Sequence, residues 1–146
     1  MIYELTIKKT VLNDCTPEPV TSPMATIRYL REHVFDPEEL WREKSYALFL
    51  DSGNRITGHI LVGIGGVSSV TIDKRIVAKG ALDVMASGVI LAHNHPSGDP
   101  SPSISDIKQT EDLKKGLDTL DIKLIDHIIL TEKKAYSFSS EQTYIL

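Results

Sequence analysis

The most constraining feature of the sequence is an apolar segment of strand length that leads at once into a loop and a capped helix. Residues 88–92, Gly-Val-Ile-Leu-Ala, form a continuous apolar run typical of a buried strand. A loop rich in proline and glycine follows over residues 96–102, and Ser103 is a favourable N-cap for a helix that extends to about Leu120. A strand that feeds a helix in this way predicts an α/β domain.

The flanking segments predict further elements of the same domain. Ser22 and Pro23 look like the N-cap and first residue of a helix to about residue 34. The runs 45–50 and 55–64, joined by turn residues, predict a β-hairpin. Further strands are predicted at 3–9, 67–72, 122–130 and 135–138. A second helix is predicted to begin after Asp73 and to stop at Gly88, with Val77, Ala81, Leu82 and Met85 at helical spacing. We therefore expect a mixed sheet flanked by helices, with an N-terminal strand and extension over residues 1–21 and the domain itself over 22–146.

The composition is that of a soluble domain with an acidic balance. The 146 residues include 16 Lys and Arg against 20 Asp and Glu, a formal net charge of -4. Strong direct binding to nucleic acid is disfavoured, because phosphates attract basic surfaces. No apolar stretch approaches the ~18 residues of a spanning helix and no signal-peptide pattern opens the sequence, so we expect a cytoplasmic protein without membrane contact. The single cysteine, Cys15, cannot form an internal disulfide.

Two histidines at the end of the buried strand indicate a metal site. His93 and His95 are two residues apart, so on an extended backbone both imidazoles face the same side and can share one ion. Asp106 follows a loop whose prolines and glycine allow the chain to turn back towards the strand end. Two histidines and one carboxylate leave the fourth tetrahedral position of a zinc ion open to water, which is the arrangement of a catalytic site.

A structural interpretation of the same residues stands beside the metal site. A pair of histidines separated by one residue is a weak signal when taken alone. Ser103 and Asp106 also fit a helix capping box. In this motif the serine side chain bonds the backbone N–H three residues later, and the acidic side chain at that position bonds the backbone N–H of the serine. Both interpretations can hold together, because a capped helix start can also present Asp106 to an ion.

The complete segment from His93 to Asp106 makes the metal interpretation specific. It reads His-Asn-His-Pro-Ser-Gly-Asp-Pro-Ser-Pro-Ser-Ile-Ser-Asp. This string resembles the JAMM pattern of metallopeptidases, H-x-H followed by seven residues and then S-x-x-D, and its HNHPSG core resembles RadC-family proteins in particular. Other RadC-like segments are Leu50-Asp51-Ser52, Asn54-Arg55, Gly65-Gly66, residues 86–92 and residues 126–129. The likeness covers about residues 22–146 and implies a cytidine-deaminase-like JAB/MPN fold.

The resemblance also implies roles for individual residues. In that family the two histidines and the aspartate hold one zinc ion, so His93, His95 and Asp106 are the expected ligands. The serine, here Ser103, is expected to position or stabilise groups at the metal-bound water. An upstream glutamate on a strand is the family's general acid and base, and its spacing from the Gly-Gly pair falls on Leu61, in a segment, 55–66, without Asp or Glu.

The leucine at this position predicts a site that binds metal but turns over poorly, because a positioned acid or base contributes about 10²- to 10⁴-fold. His59 lies two residues before Leu61 and would face the same side, which makes it a candidate substitute base. The alternative is an ordinary, half-exposed strand histidine. His127 is either a hydrogen-bonded core histidine or a residue that orients a metal ligand, and Trp41 and Tyr46 are expected to be packing residues rather than a stacking platform for nucleic acid.

Three functions remain open from the sequence. The first is a zinc-dependent hydrolase of peptide or isopeptide bonds, with a peptide or protein substrate. The second is a metal-binding module that is catalytically impaired and recognises a partner chain beside the loop 96–102. The third is an indirect role in DNA repair, which follows the traditional description of the RadC family; its longer members resemble a helix-hairpin-helix region joined to this domain, and that region has no counterpart in this sequence.

Overall fold

A computed structural model describes residues 19–65 and 71–146 of the chain. Three α-helices lie in these ranges: α1 (Pro23–His33), α2 (Lys74–Asp83) and α3 (Ile104–Asp118). Six strands accompany them: β1 (Lys44–Leu50), β2 (Ile56–Ile64), β3 (Gly88–Asn94), β4 (Lys123–Leu130), β5 (Lys134–Ser137) and β6 (Gln142–Ile145). A short 3-10 turn, Pro37–Glu39, precedes β1.

The six strands form one mixed sheet in the order β2-β1-β3-β4-β5-β6. The β3–β4 pair is parallel and is joined through α3, whereas the other neighbouring pairs are antiparallel. The predicted mixed sheet flanked by helices is confirmed, as is the β1–β2 hairpin. The strand predicted at 3–9 and most of the one predicted at 67–72 lie outside the described residues, and residues 71 and 72 are not in a strand.

Each face of the sheet is covered by its own helix layer. On one face α1 packs through Ile27 and Leu30, and on the other α2 and α3 pack through Val77 and Leu113. Successive β3 side chains alternate between these layers, with Ile90 and Ala92 towards α1, and Val89 and Leu91 towards α2 and α3. By the same alternation, His93 faces the α3 side and Asn94 the α1 side. The central strand therefore fixes which side of the sheet carries each residue at its end.

The second helix ends earlier than the sequence pattern predicts. It stops at Asp83, and Met85 adopts a left-handed backbone conformation with φ 53° and is 84% exposed. Gly88 is not the helix stop but the first residue of β3, where a Cβ atom would come within 2.5 Å of the Ile125 side chain. A larger residue there would force the Ile125 side chain of β4 to shift. Strand β6 has no counterpart in the sequence prediction.

The prediction that both aromatic residues near β1 pack inside is correct for Tyr46 and wrong for Trp41. Tyr46 is partly buried against the core on the α1 side. Trp41 lies in the loop before β1 and is 66% exposed. Within residues 19–65 and 71–146, no helix combines the length and the apolar character needed to cross a membrane.

Two helical glycines with different surroundings test the packing of α2 on the sheet. A Cβ atom at Gly80 would meet the buried Phe49 ring at 2.4 Å, whereas at Gly116 in α3 it would meet nothing within 4 Å. We expect Gly116→Ala to raise the free energy of unfolding by about 0.5–1 kcal/mol through helix propensity. Gly80→Ala should lower it by about 1–3 kcal/mol through overpacking. Urea denaturation measures both, and stabilisation by Gly80→Ala would contradict the close packing of α2 on β1.

Candidate metal centre

The sequence-predicted residues His93, His95 and Asp106 meet at one end of the sheet. Nε2 of His93 lies 2.9 Å from Nε2 of His95 and 3.3 Å from Oδ1 of Asp106. Nε2 of His95 lies 3.4 Å from Oδ2 of Asp106. The end of β3 and the first turn of α3 thus bring two imidazoles and a carboxylate together.

A fourth residue, Glu43, belongs to the same group of side chains. Its Oε1 lies 3.9 Å from Nε2 of His93, and one donor atom from each of the four residues lies within 4.8 Å of all the others. A tetrahedral zinc ion with ligands at about 2.0–2.1 Å places neighbouring donor atoms about 3.3–3.4 Å apart. The distances from the Asp106 oxygens to the two imidazole nitrogens, 3.3 and 3.4 Å, match this spacing, and the nitrogen and oxygen donors suit a metal, so the cluster could hold an ion.

The backbone around β1 places Glu43 beside His93. Ser45 lies directly opposite His93 in the β1–β3 pair, so the two side chains share a face. The backbone N–H of Gly65 donates to the carbonyl of Glu43 at 2.8 Å, which extends the β1–β2 ladder beyond the strand. Glu43, two residues before Ser45 on this extended backbone, therefore faces the same side as His93.

Asn94 holds the loop that carries Glu43. This side chain is buried, and its amide nitrogen donates to the carbonyls of Leu40 and Arg42 at 3.1 and 2.9 Å. Its Oδ1 accepts from the backbone N–H of Lys44 at 2.8 Å. The residue between the two histidines thus ties the loop to β3 from the opposite face of the sheet, on both sides of Glu43.

Hydrogen bonds at the far side of each imidazole orient the rings. Nδ1 of His95 lies 2.8 Å from the carbonyl oxygen of Asp99 and must donate to it, which leaves Nε2 as the nitrogen that faces the cluster. Nδ1 of His93 lies 2.7 Å from Nε2 of the buried His127. His127 is therefore a buried, hydrogen-bonded histidine, as one of its two interpretations predicts, and its partner is one of the candidate ligands, as the other requires.

Asp106 sits in the predicted capping box. Ser103 donates to Oδ2 of Asp106 from both its backbone N–H and its hydroxyl at 2.7 Å, and the Asp106 N–H donates back to the Ser103 hydroxyl at 3.1 Å. Burial acts to raise the pKa of Asp106, but the contacts with His93, His95 and Ser103 together outweigh it, and this pKa lies well below its ordinary value. The shift favours the ionised form of the carboxylate.

The pKa of His95 is shifted by the same carboxylate. Burial acts to lower it, but hydrogen bonds to Asp106 and to the carbonyl of Asp99 act more strongly together and raise the pKa above its ordinary value of 6.5. Because Nδ1 already donates to Asp99, protonation of His95 adds a proton at Nε2, the nitrogen that faces the other donors. A metal ion has to displace that proton, because both use the same nitrogen lone pair.

The assignment of the family glutamate to Leu61 is corrected by the structure. Leu61 is 43% exposed and pairs with Tyr46, whose side chain lies on the α1 side of the sheet. His59 pairs with Leu48 on the same side and approaches the Tyr46 ring, at 6.3 Å between centroids. Neither residue faces the metal cluster, so His59 is not a substitute base. The carboxylate at the site comes instead from Glu43.

A cleft of about 320 Å³ opens beside His95. The exposed Trp41 forms part of its wall, and the loop after His95 and the turn after β4 form other parts. Its lining includes Trp41, His95, Pro96, Gly98, Thr131 and Glu132. A surface groove with an exposed aromatic side chain therefore borders the cluster at His95.

Comparison with known proteins yields one matching family and many relatives. The family described as "RadC-like JAB domain" matches residues 20–143. A UPF0758 protein of Aquifex aeolicus is 38% identical over 122 residues, which covers 84% of this chain and 51% of the relative. A UPF0758 protein of Carboxydothermus hydrogenoformans is 38% identical over 142 residues, 97% of this chain and 58% of the relative. UPF0758 protein YkfG of Escherichia coli is 38% identical over 119 residues, 82% of this chain and 73% of the relative.

The matched segments cover only part of each relative. The chain spans about half the length of the first two of these relatives, and somewhat more of YkfG. The shared segment includes the histidine pair, Asp106 and Glu43, because the family match extends from residue 20 to residue 143. The mixed sheet with its helices is consistent with a JAB/MPN domain.

The three hydrogen bonds of Asn94 predict a large effect on stability. We expect Asn94→Ala to lower the free energy of unfolding by about 2–4 kcal/mol, because two carbonyls and one N–H lose a buried partner, each at a cost of about 1 kcal/mol or more. Gln109→Ala is the matched control, since Gln109 accepts one such bond from the backbone of Ile72 at 2.9 Å. If urea denaturation showed that Asn94→Ala lowers the free energy of unfolding no more than Gln109→Ala does, the stabilising role of Asn94 would be contradicted.

Proposed function

Since the chain belongs to the RadC-like JAB domain family, we propose that it is a zinc-dependent hydrolase of peptide or isopeptide bonds. The observation that carries the proposal is the presence of Glu43 beside the His93, His95 and Asp106 donors. This carboxylate supplies the group that the sequence reasoning had found missing. The argument from Leu61 for a catalytically impaired domain therefore no longer applies.

Three of the four residues would hold one zinc ion. The two imidazoles present Nε2 and Asp106 presents a carboxylate that stays ionised, a set that suits zinc and leaves a coordination position open. Zinc, when bound, supplies Lewis acidity that polarises a substrate carbonyl and acidifies water. His95 and Asp106 keep their positions through hydrogen bonds that the protein makes itself.

Glu43 is the proposed general base. Its side chain is almost fully buried and Oε1 lies 3.9 Å from Nε2 of His93, farther than the Asp106 oxygen at 3.3 Å. An ionised carboxylate at this place takes a proton from the attacking water and returns it to the leaving amine nitrogen, so that the amine departs neutral. The Asn94 hydrogen bonds to Arg42 and Lys44 hold the backbone on both sides of Glu43 and so limit where its side chain can lie.

Ser103 acts first as a positioning residue in this proposal. Its hydroxyl proton is donated to Asp106, so the serine orients a ligand. Stabilisation of a developing oxyanion by Ser103 stays a prediction, because the hydroxyl has to leave Asp106 before it can donate elsewhere.

The substrate is proposed to be an extended polypeptide. The cleft that ends at His95 offers an exposed indole and a turn of backbone, which are suited to peptide side chains and peptide groups. The same cleft supports the second candidate, a metal-binding module that recognises a partner chain without cleaving it. A link to DNA repair stays a prediction, and the net charge of -4 works against direct duplex binding.

Zinc binding is the first expected outcome. Metal-free protein titrated with zinc should bind one ion per chain, and a chelator should reverse the uptake. His93→Ala should abolish binding, because Nε2 of His93 lies within 3.9 Å of donor atoms from all three other residues. His59→Ala is the matched control, since His59 is a partly buried strand histidine on the other face of the sheet. Equal uptake by His93→Ala and wild type would overturn the site.

Glu43→Gln separates the two candidate functions. If Glu43 is the base, the variant keeps its zinc affinity and loses about 10²- to 10⁴-fold in cleavage of a mixed-sequence peptide library followed by mass spectrometry. Glu111→Gln, an exposed carboxylate on α3, should leave both unchanged.

Two results of this experiment would contradict the hydrolase. Loss of zinc from Glu43→Gln would make Glu43 a fourth ligand of a closed site, which is the arrangement of a non-catalytic centre. Zinc-loaded wild type that cleaves nothing in the library would favour the partner-recognition module.

A further inference from the structure

His127 and Thr110 form a chain of hydrogen bonds behind the cluster. Nδ1 of His93 lies 2.7 Å from Nε2 of His127, and Nδ1 of His127 lies 2.6 Å from Oγ1 of Thr110. The Thr110 hydroxyl lies 2.6 Å from the backbone carbonyl of Asp106, one turn earlier in α3. His127 is 1% exposed, and the Phe138 ring stacks on it with 4.7 Å between centroids.

The direction of each hydrogen bond in this chain follows from the carbonyl at its end. A backbone carbonyl can only accept, so the single proton of the Thr110 hydroxyl is donated to Asp106. Nδ1 of His127 must then donate to Oγ1 of Thr110, since that proton is already used. A neutral imidazole has one donor and one acceptor nitrogen, which makes Nε2 of His127 the acceptor. The Nδ1–H of His93 is therefore the donor, and Nε2 of His93 carries a lone pair that faces Nε2 of His95 at 2.9 Å.

We propose that Thr110 and His127 are positioning residues that hold His93 in the tautomer with its proton on Nδ1, so that Nε2 is ready to bind the metal ion. The inference rests on the proposed metal site and adds residues that are not ligands. The hydrogen bonds also connect the two candidate ligands Asp106 and His93, because they run from the backbone carbonyl of Asp106 through Thr110 and His127 to His93. A partner that orients a metal-bound histidine commonly contributes 10- to 100-fold to metal affinity.

The opposite order of hydrogen bonds would disable the site. If Thr110 donated to His127, Nε2 of His127 would donate to Nδ1 of His93, and the proton of His93 would lie on Nε2 among the other donors. Loss of the Thr110 hydroxyl favours that order, because a buried N–H without a partner is rarer and more costly than a nitrogen acceptor without one. The threonine hydroxyl is thus the group that decides between the two orders.

Thr110→Val tests the proposal with little change of shape. We expect the variant to bind zinc about 10- to 100-fold more weakly than wild type. Thr110→Ser keeps the hydroxyl and should retain wild-type affinity. Thr26→Val is the matched control, since Thr26 is a buried helical threonine whose hydroxyl also donates to the carbonyl four residues earlier, at 3.4 Å, but in α1.

The tautomer itself is read in the metal-free protein by long-range ¹H–¹⁵N NMR of the imidazoles. Wild type and Thr110→Ser should show the His93 proton on Nδ1, and Thr110→Val should show it on Nε2 or divided between the two nitrogens. A general loss of packing would not move the proton selectively, and urea denaturation checks that the variants are folded.

The outcomes separate this inference from the proposed function. If zinc-binding wild type and Thr110→Val share the same affinity and the same His93 tautomer, the positioning role is wrong and the metal site stands. If wild type binds no zinc, the proposed function fails, while the tautomer in metal-free protein still decides the positioning role. The proposal would also be overturned if Thr26→Val weakened zinc binding as much as Thr110→Val does, since the loss of affinity would then come from reduced stability.

Discussion

The structure depends on the extended backbone at the C-terminal end of β3. This strand is paired on both sides, with β1 antiparallel and β4 parallel, and the N–H of His95 continues the ladder with a 2.9 Å bond to the carbonyl of Leu130. Because the backbone stays extended, consecutive side chains must alternate between the faces. His93 and His95 therefore share one side, and Asn94 is sent to the other, where it holds the loop of Glu43. One strand end supplies two donors and fixes the place of a third.

Charge is the second constraint on this arrangement. Glu43 and Asp106 are both buried and contribute carboxylates to a cluster in which donor atoms lie within 4.8 Å of one another. Two buried carboxylates so close together require compensation where both are ionised. The protein supplies part of it through the Ser103 donors and the N-terminal end of α3, where the helix dipole favours negative charge. A cation is the group that completes it, which is the physical reason that this cluster is suited to a metal ion.

Local patterns in the sequence were sufficient for most of the fold and for three of the four donors. The caps Ser22, Asp73 and Ser103 mark the starts of α1, α2 and α3, because each signal is confined to a few neighbouring residues. Glu43 could not be found in this way. Its place depends on the pairing of β1 with β3, whose paired residues are about fifty positions apart in the sequence. Only once Ser45 is known to lie opposite His93 does it follow that Glu43, two residues earlier, faces the same side. The same limit applies to His127, whose contact with His93 depends on the parallel β3–β4 register, and to Trp41, whose exposure depends on a loop.

The way in which the donors are held determines what an ion would add to the protein. Hydrogen bonds already orient His93, His95 and Asp106 through His127, Asp99 and Ser103, and each of these partners is itself fixed in a strand, a loop or a helix cap. Binding therefore requires little ordering of side chains, and most of the interaction energy appears as affinity. The ion would join three separate segments, the loop before β1, the end of β3 and the start of α3. Contacts outside the cluster already join two of these segments, because β1 pairs with β3 and the Asn94 side chain ties the loop before β1 to the end of β3.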